Sequence, residues 1–374
     1  MKNLKIARVG IDARFVIDWD HPHGALLREL LKANEQEKHP VHYYLFHVQQ
    51  LLTPQPWLKC SNVTTVLVNC HGSSERWAYW RFFDSAICSF HLDLFLSPFY
   101  RIPLRAWLAG TPMLHMIHDV SPLTVPPDLL PERFQSPWKR FQILVGFWVY
   151  ARIAKRTISV SEHAAMEIRQ VLSMPRSRLA VVPNCFSADL VRENSESTPV
   201  NPYLLFIGVN MPKKNLQGLL NAWPIIRERF PHSQLVVRSN LTTEEQASCP
   251  EGVVVQGERL EQSVLHSLIR NASALVLPSF HEGFGLPVLE AMTLGTPVCV
   301  SRGTALEEVA GEGALLFNPA SADSIAATCC EVLGFTPSQR EEQRQRSRRQ
   351  AEQFLPTRII PQLLRLIQQT ARNQ

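Results

Sequence analysis

Short apolar runs alternate along this chain with longer stretches whose apolar residues recur every three or four positions. Runs at 4–11, 41–46, 63–68, 93–96, 113–117, 157–160 and 179–182 have the length of buried strands. Between them, Leu26, Leu27, Leu30 and Leu31 fall on one helical face, and residues 133–154 predict a long helix. A polar stretch from Val191 to Pro199 has the composition of a linker. The alternation then restarts, with strands at 203–207, 234–237, 253–255, 274–277 and 297–300 and helices at 216–230, 260–271 and 287–294. An Arg-rich helix at 338–353 and a last helix from Arg358 complete the pattern, and no short-period repeat is visible.

Alternation of this kind predicts parallel sheets covered on both faces. The expected fold is α/β, with two doubly wound, Rossmann-like domains facing across a cleft. Their bounds are 1–188 and 201–353, joined by a linker at 189–200, with 354–374 a C-terminal helix packing back toward the first domain. Ligands in such sheets sit outside the carboxyl ends of the strands.

Composition narrows the class. The 374 residues are 45% hydrophobic and 19% charged, which excludes a disordered or fibrous chain. The net charge of +5 is too small to imply nucleic-acid binding. It is also localised: Arg133, Lys139, Arg140, Arg152, Lys155 and Arg156 face one acid, Glu132, and the rest of the chain is neutral. The eight cysteines include no C-x-x-C pair, and Cys329 and Cys330 are adjacent, which reads as a reduced, intracellular protein. The first residues run straight into a strand pattern, and no charge-free apolar run reaches the ~20 residues that span a bilayer. The expectation is a cytoplasmic protein, soluble or peripheral on the inner face of the membrane.

The chemistry concentrates in two loops. From Leu277 to Met292 an apolar strand ends, a Gly-containing loop turns, and a helix opens near Pro287. Gly283 and Gly285 let backbone approach a ligand, and the helix N-terminus suits a phosphate or diphosphate. Glu290, eight residues after Glu282, can accept both hydrogen bonds of a ribose diol, while Glu282 can hold sugar hydroxyls. The second loop, Gly208 to Asn215, carries Lys213 and Lys214 between a strand and a helix. It is either a solvated basic turn or a diphosphate clamp that stabilises a leaving group.

The stretch from Glu282 to Glu290, with its surroundings at 203–320, resembles the E-x7-E motif of the retaining GT-B glycosyltransferases of family 4. The first half is similar more loosely, through Val9 to Arg14, Leu96-Ser97-Pro98, Ile117-His118-Asp119, Ser159 to Glu162 and Val182-Pro183-Asn184. The likeness is to mannosyl- and related transferases of bacterial polysaccharide assembly. It implies that Lys214, with Lys213 and Asn215 beside it, contacts the donor diphosphate. It also implies that Glu282 and the backbone of Gly283, Phe284, Gly285 and Leu286 hold the transferred sugar. Glu290 then binds the ribose, and His118 sits near the reacting sugar; His118, Glu282 and Lys214 are the expected catalytic set. Reaction would retain anomeric configuration by front-face attack, without metal, cofactor or enzyme nucleophile. The implied partners are a nucleotide-diphosphate sugar, best matched by GDP-mannose, and a glycan or lipid-linked oligosaccharide acceptor, with no nucleic acid. This chain differs from many relatives in having Val209 where they carry arginine, and one glycine, Gly24, in the loop after the first strand.

Other readings stay open. The fold could serve a nucleotide-sugar epimerase or hydrolase, or a non-catalytic assembly partner. His118 could simply end a strand, with Asp119 or Ser121 capping the next turn. Ser161-Glu162-His163 reads first as a helix N-cap. Asp18-Trp19-Asp20 imitates a metal motif, but only 17 residues precede it, so no metal site is expected. The stretch from Trp138 to Arg152 is either an interfacial helix or a buried one with basic ends. The Arg-rich run from Arg340 to Arg349 reads as a solvated helix face.

Overall fold

The computed structural model describes residues 6–14, 24–48, 55–68, 84–98, 102–186, 202–257 and 260–372. The linker at 189–200 and the loop at 18–23 lie outside the described residues. The chain forms two compact units: 1–120 with 141–186 and 356–374, and 121–140 with 187–355.

The first unit holds a seven-stranded sheet in the order β3-β2-β1-β4-β5-β6-β7. Its strands are β1 Ala7–Asp12, β2 Val41–His47, β3 Val63–Leu67, β4 Leu94–Ser97, β5 Met113–Ile117, β6 Arg156–Ser159 and β7 Leu179–Val181. Every pairing is parallel. The central strands β4 and β5 are buried at every position, while the edges β3 and β7 are half-exposed, as expected of a sheet covered on both faces. Helix α1, Ala25–Glu37, buries Leu26, Leu27, Leu30 and Leu31, the face that its leucine spacing predicts. The C-terminal helix, Pro356–Arg372, packs on α1 and β4 and buries Leu363 and Ile367 completely. Helix α2, Pro137–Ile153, starts four residues later than the sequence pattern, because a 3-10 turn at Glu132–Phe134 precedes it. Helix α3, Glu162–Leu172, is capped by Ser161, whose hydroxyl accepts from the Ala164 amide at 3.0 Å. That oxygen is therefore a structural cap.

The second unit repeats the plan with six parallel strands in the order β10-β9-β8-β11-β12-β13. They are β8 Tyr203–Ile207, β9 Gln234–Arg238, β10 Val253–Val255, β11 Ala274–Leu277, β12 Val298–Ser301 and β13 Ala314–Phe317. The last of these was not expected as a strand; it is an edge of four residues with only Phe317 buried. Helices α4 Leu216–Arg229, α5 Gln262–Asn271, α6 Leu286–Leu294, α7 Ala305–Ala310, α8 Ala322–Leu333 and α9 Pro337–Ala351 cover it.

Two segments depart from the sequence reading. Residues 121–140 group with the second unit although the alternation assigns them to the first. The arginines of α9 are not simply a solvated face: Arg340 donates to the Ser273 carbonyl at 3.2 Å and Arg344 to that of Gly295, also at 3.2 Å. Periodicity misses this because those carbonyls belong to strand and helix ends far away in sequence.

The seven described cysteines are free thiols. Burial pushes the thiols of Cys185, Cys299 and Cys329 upward, away from reactive thiolate.

Because Leu363 is fully buried on the C-terminal helix, Leu363→Ala should destabilise the first unit by about 2–5 kcal/mol, read as a lower urea midpoint.

Candidate functional site

In the second unit the strand order reverses between β8 and β11, where a doubly wound sheet opens a crevice at its carboxyl ends. The loops leaving these two strands carry the candidate residues.

After β8 the chain makes a 3-10 turn, Pro212–Lys214, and ends it on Asn215 in the left-handed region, at φ 55. Asparagine tolerates that conformation better than most residues. Its side chain caps α4 by accepting from the Gly218 amide at 3.2 Å. Its amide nitrogen donates to the Pro278 carbonyl after β11 at 3.0 Å and to the Pro319 carbonyl after β13 at 2.7 Å. Gly218 has to be glycine here, because a Cβ would stand 2.5 Å from Asn215 Oδ1. A backbone bond from the Phe280 amide to the Lys213 carbonyl, 2.8 Å, draws the two loops together.

This arrangement delivers Lys214 to Glu282. The ammonium lies 2.5 Å from Glu282 Oε1, and the Ser279 hydroxyl donates to the same oxygen at 2.9 Å. Both partners fall on Oε1. Lys213 turns the other way and donates to Ser121 Oγ at 2.9 Å.

Beyond Glu282 the loop is buried at Gly283, Phe284 and Gly285, with Phe284 edge-on to Phe354 at 5.7 Å. Gly285 is the N-cap of α6 at φ 102, and a Cβ there would sit 2.4 Å from Leu306 Cδ2. Only glycine fits both constraints. Leu286 opens α6 with Pro287 beside it, and Glu290 is half-buried within the helix. The helix therefore presents its amino end at the loop that carries Glu282.

In the first unit, His118 follows β5 and its Nε2 is 3.1 Å from the carbonyl of Pro98, the residue after β4. The sheet of this unit switches order between β1 and β4, so this contact also lies at the carboxyl ends. At the end of β1, Asp12 is fully buried and holds Arg14 through two bonds, at 2.9 and 2.6 Å.

The structure thus brings together Lys213, Lys214, Asn215, Glu282 and the loop to Leu286, with Glu290 on the helix that follows. Asn215 is given over to protein contacts. Ser279 is a contact that sequence reasoning missed, and Ser121 was read only as a possible cap of the turn after His118, with nothing in the sequence to pair it with Lys213.

Sequence profiles of two families match the chain: Glycosyltransferase Family 4 over residues 23–190 and Glycosyl transferases group 1 over 201–334. The O-antigen chain mannosyltransferase B of Escherichia coli is 33% identical over 281 residues, which is 70% of each chain. The O-antigen chain mannosyltransferase RfbU of Salmonella typhimurium is 26% identical over 54% of this chain and 56% of its own. Among solved structures, sucrose-phosphate synthase from Thermosynechococcus elongatus superposes with a TM-score of 0.74 at 16% identity, covering 97% of this chain and 98% of its own. WaaG, a glycosyltransferase involved in lipopolysaccharide biosynthesis, gives 0.71 at 12% identity, covering 96% and 99%. HepE of Anabaena, in complex with UDP and glucose, gives 0.68 at 15% identity, covering 97% and 100%.

Two parallel-sheet Rossmann-like domains with these matches define a glycosyltransferase of GT-B architecture. The chain belongs to the family 4 glycosyltransferases.

Asn215→Ala removes a helix cap and the donor to two carbonyls, and places alanine in the left-handed region. It should cost about 2–5 kcal/mol of stability by chemical denaturation. Asn215→Gly should recover only about 1 kcal/mol of that, since it restores backbone freedom and none of the three bonds.

Proposed function

We propose that this glycosyltransferase moves mannose from GDP-mannose to a lipid-linked or oligosaccharide acceptor of surface-polysaccharide assembly, with retention and without a metal. The observation that carries the reading is the contact of Lys214 with Glu282 across the two loops at the sheet's order switch. A nucleotide-sugar donor brings a diphosphate and a sugar to one point, and this pair offers a cation for one and a carboxylate for the other. The UDP- and glucose-bound relative supports a nucleotide-sugar donor, and the mannosyltransferases among the relatives support mannose and an O-antigen-type acceptor.

The chemistry follows from charge. As the glycosidic bond to the donor phosphate breaks, negative charge grows on the departing diphosphate. Lys214 and the amino end of α6 offset it without moving a proton, while Lys213 is engaged with Ser121. Glu282, steadied by Ser279, accepts hydrogen bonds from sugar hydroxyls through Oε2, while the amides of the 283–286 loop line the sugar's path. Glu290 takes the ribose diol. His118, held by the Pro98 carbonyl, is the first unit's candidate for orienting the acceptor. Asn215 acts as a positioning residue for the two lysines.

Calorimetric titration of GDP, UDP, ADP and dTDP, with EDTA throughout, should show binding of GDP. Binding of none would move the non-catalytic reading ahead. Glu290→Ala should weaken the bound nucleotide about 10- to 100-fold, the loss of one charge-assisted hydrogen bond of about 1.5–3 kcal/mol. Unchanged affinity would refute the ribose assignment. His118→Ala should leave nucleotide affinity alone and slow transfer by about ten-fold or more. Transfer to a mannose-terminated acceptor, followed by NMR of the new anomeric centre, tests retention. Consumption of donor with no acceptor present would instead identify a hydrolase or epimerase.

A further inference from the structure

On the side of β8 away from the order switch, two strand ends carry polar side chains that no described residue satisfies. Arg238 is the last residue of β9, and Gln256 directly follows β10. The ladder runs one residue past β10, since the Gln256 amide donates to the Val237 carbonyl at 2.9 Å. The register of Val255 with Val237 therefore sets Gln256 opposite Arg238, both side chains on one face of the sheet. Both residues are half-buried. Arg238 Nε and Gln256 Oε1 are shut off from water, and neither has a hydrogen-bond partner. Ser239, next to Arg238 and 4% exposed, has a hydroxyl in the same condition. Folded proteins keep few such atoms, because each forfeits the bonds it made to water. Three of them on neighbouring strand ends call for a ligand that supplies the missing partners.

These strand ends adjoin the crevice already described. The Gly208 amide donates to the Arg238 carbonyl at 3.1 Å, so the loop that carries Lys214 leaves the sheet beside Arg238. Asn210 ties that loop to the one after β9. Its backbone amide donates to Asn240 Oδ1 at 3.0 Å, and its side chain donates to Glu245 Oε1 at 2.8 Å. Val209, between Gly208 and Asn210, is 53% exposed and offers apolar surface to a flat ring. The gap between β8 and β11 lies two strand spacings, ~10 Å, from the gap between β9 and β10. That is the reach from a diphosphate through a ribose to its base.

The chemistry of the pair decides what fits. A guanidinium Nε can only donate, and an amide oxygen can only accept. A phosphate would satisfy the arginine and be repelled by Gln256 Oε1. A planar edge with a carbonyl beside a ring N–H satisfies both, the carbonyl accepting from Arg238 and the N–H donating to Gln256. Guanine, hypoxanthine and uracil carry that edge. Adenine and cytosine present an amino group beside an unprotonated ring nitrogen, which is the reverse order.

We infer that Arg238 and Gln256 select the donor's base, admitting one with a carbonyl beside a ring N–H and refusing one with an amino group there. This rests on the reading of the site as one for a nucleotide sugar and names the class of base it takes. Ser239, able to donate or accept, completes the set from the same strand end.

The test is calorimetric titration of the full chain with GDP, inosine diphosphate and ADP, and with inorganic diphosphate as a probe that has no base. GDP and inosine diphosphate share the carbonyl and the ring N–H, and should bind within ~3-fold of each other. ADP should bind at least ~10-fold more weakly. Arg238→Met and Gln256→Leu should each weaken GDP and inosine diphosphate about 10-fold or more, leaving ADP and inorganic diphosphate unchanged. Neither should lower the urea midpoint, because an apolar side chain in place of an unpaired polar one removes no hydrogen bond. A GDP-to-ADP ratio unchanged in both variants assigns these atoms to buried water and overturns the proposal. Equal losses for every ligand in Arg238→Met place the arginine on the phosphates, and a lowered midpoint reveals a protein partner; either result overturns it too. If no nucleotide binds, the donor reading falls and this one with it. If nucleotides bind without regard to base, only this one falls.

Discussion

The second unit reverses its strand order between β8 and β11, and the loops leaving those strands have to meet over one crevice for any ligand to bridge them. Asn215 is where they meet. Its one carboxamide caps α4, holds the turn after β11 and reaches the turn after β13. Its left-handed backbone ends the 3-10 turn that aims Lys214 at Glu282. Remove that amide and one buried and one half-buried carbonyl lose their donor, while the lysine turn loses its anchor. The placement of the charged pair thus rests on an uncharged residue.

The pair itself contributes orientation more than stability. Both side chains are largely withdrawn from water, 21% and 12% exposed, so the cost of desolvating them roughly offsets their attraction. The arginines of α9 play the opposite part. Arg344 lies at the carboxyl end of α6, donating to the carbonyl of Gly295, the C-cap of that helix. Cations there suit the helix dipole and anchor α6, whose other end opens at the loop that carries Glu282. Charge in this unit is divided between arginines that hold the frame and a pair set at the crevice between β8 and β11.

Much of this was legible in the sequence because parallel strands buried on both faces leave near-continuous apolar runs. β4, β5, β11 and β12 announced themselves in this way. β13 did not: Ala314–Phe317 is a short edge strand, half-exposed, whose pairing with β12 supplies what its own pattern lacks. The Glu282 to Glu290 spacing and the paired lysines were visible as motifs. What no motif shows is long-range hydrogen bonding: Lys213 with Ser121, Asn215 with Pro319, Arg340 with Ser273. Each joins residues brought together only by the topology, so the candidate residues were easier to find than those that place them. The exposure of α2 stayed open between two readings, since an apolar helix reads alike whether its sides face a core or solvent.

The first unit is discontinuous. Its sheet is complete by residue 186, but the helix that covers α1 and β4 is Pro356–Arg372, separated from it by residues 187–355 of the second unit. During synthesis the earlier part of the chain must wait for its own lid. At ~5–20 residues per second the intervening stretch takes roughly 10–40 s to emerge. Throughout that interval the apolar surface destined for Leu363 and Ile367 stays open, while the second unit can close on residues already made. The half of the enzyme that leaves the ribosome first is the half that finishes last, and its vulnerable period is set by the length of its neighbour.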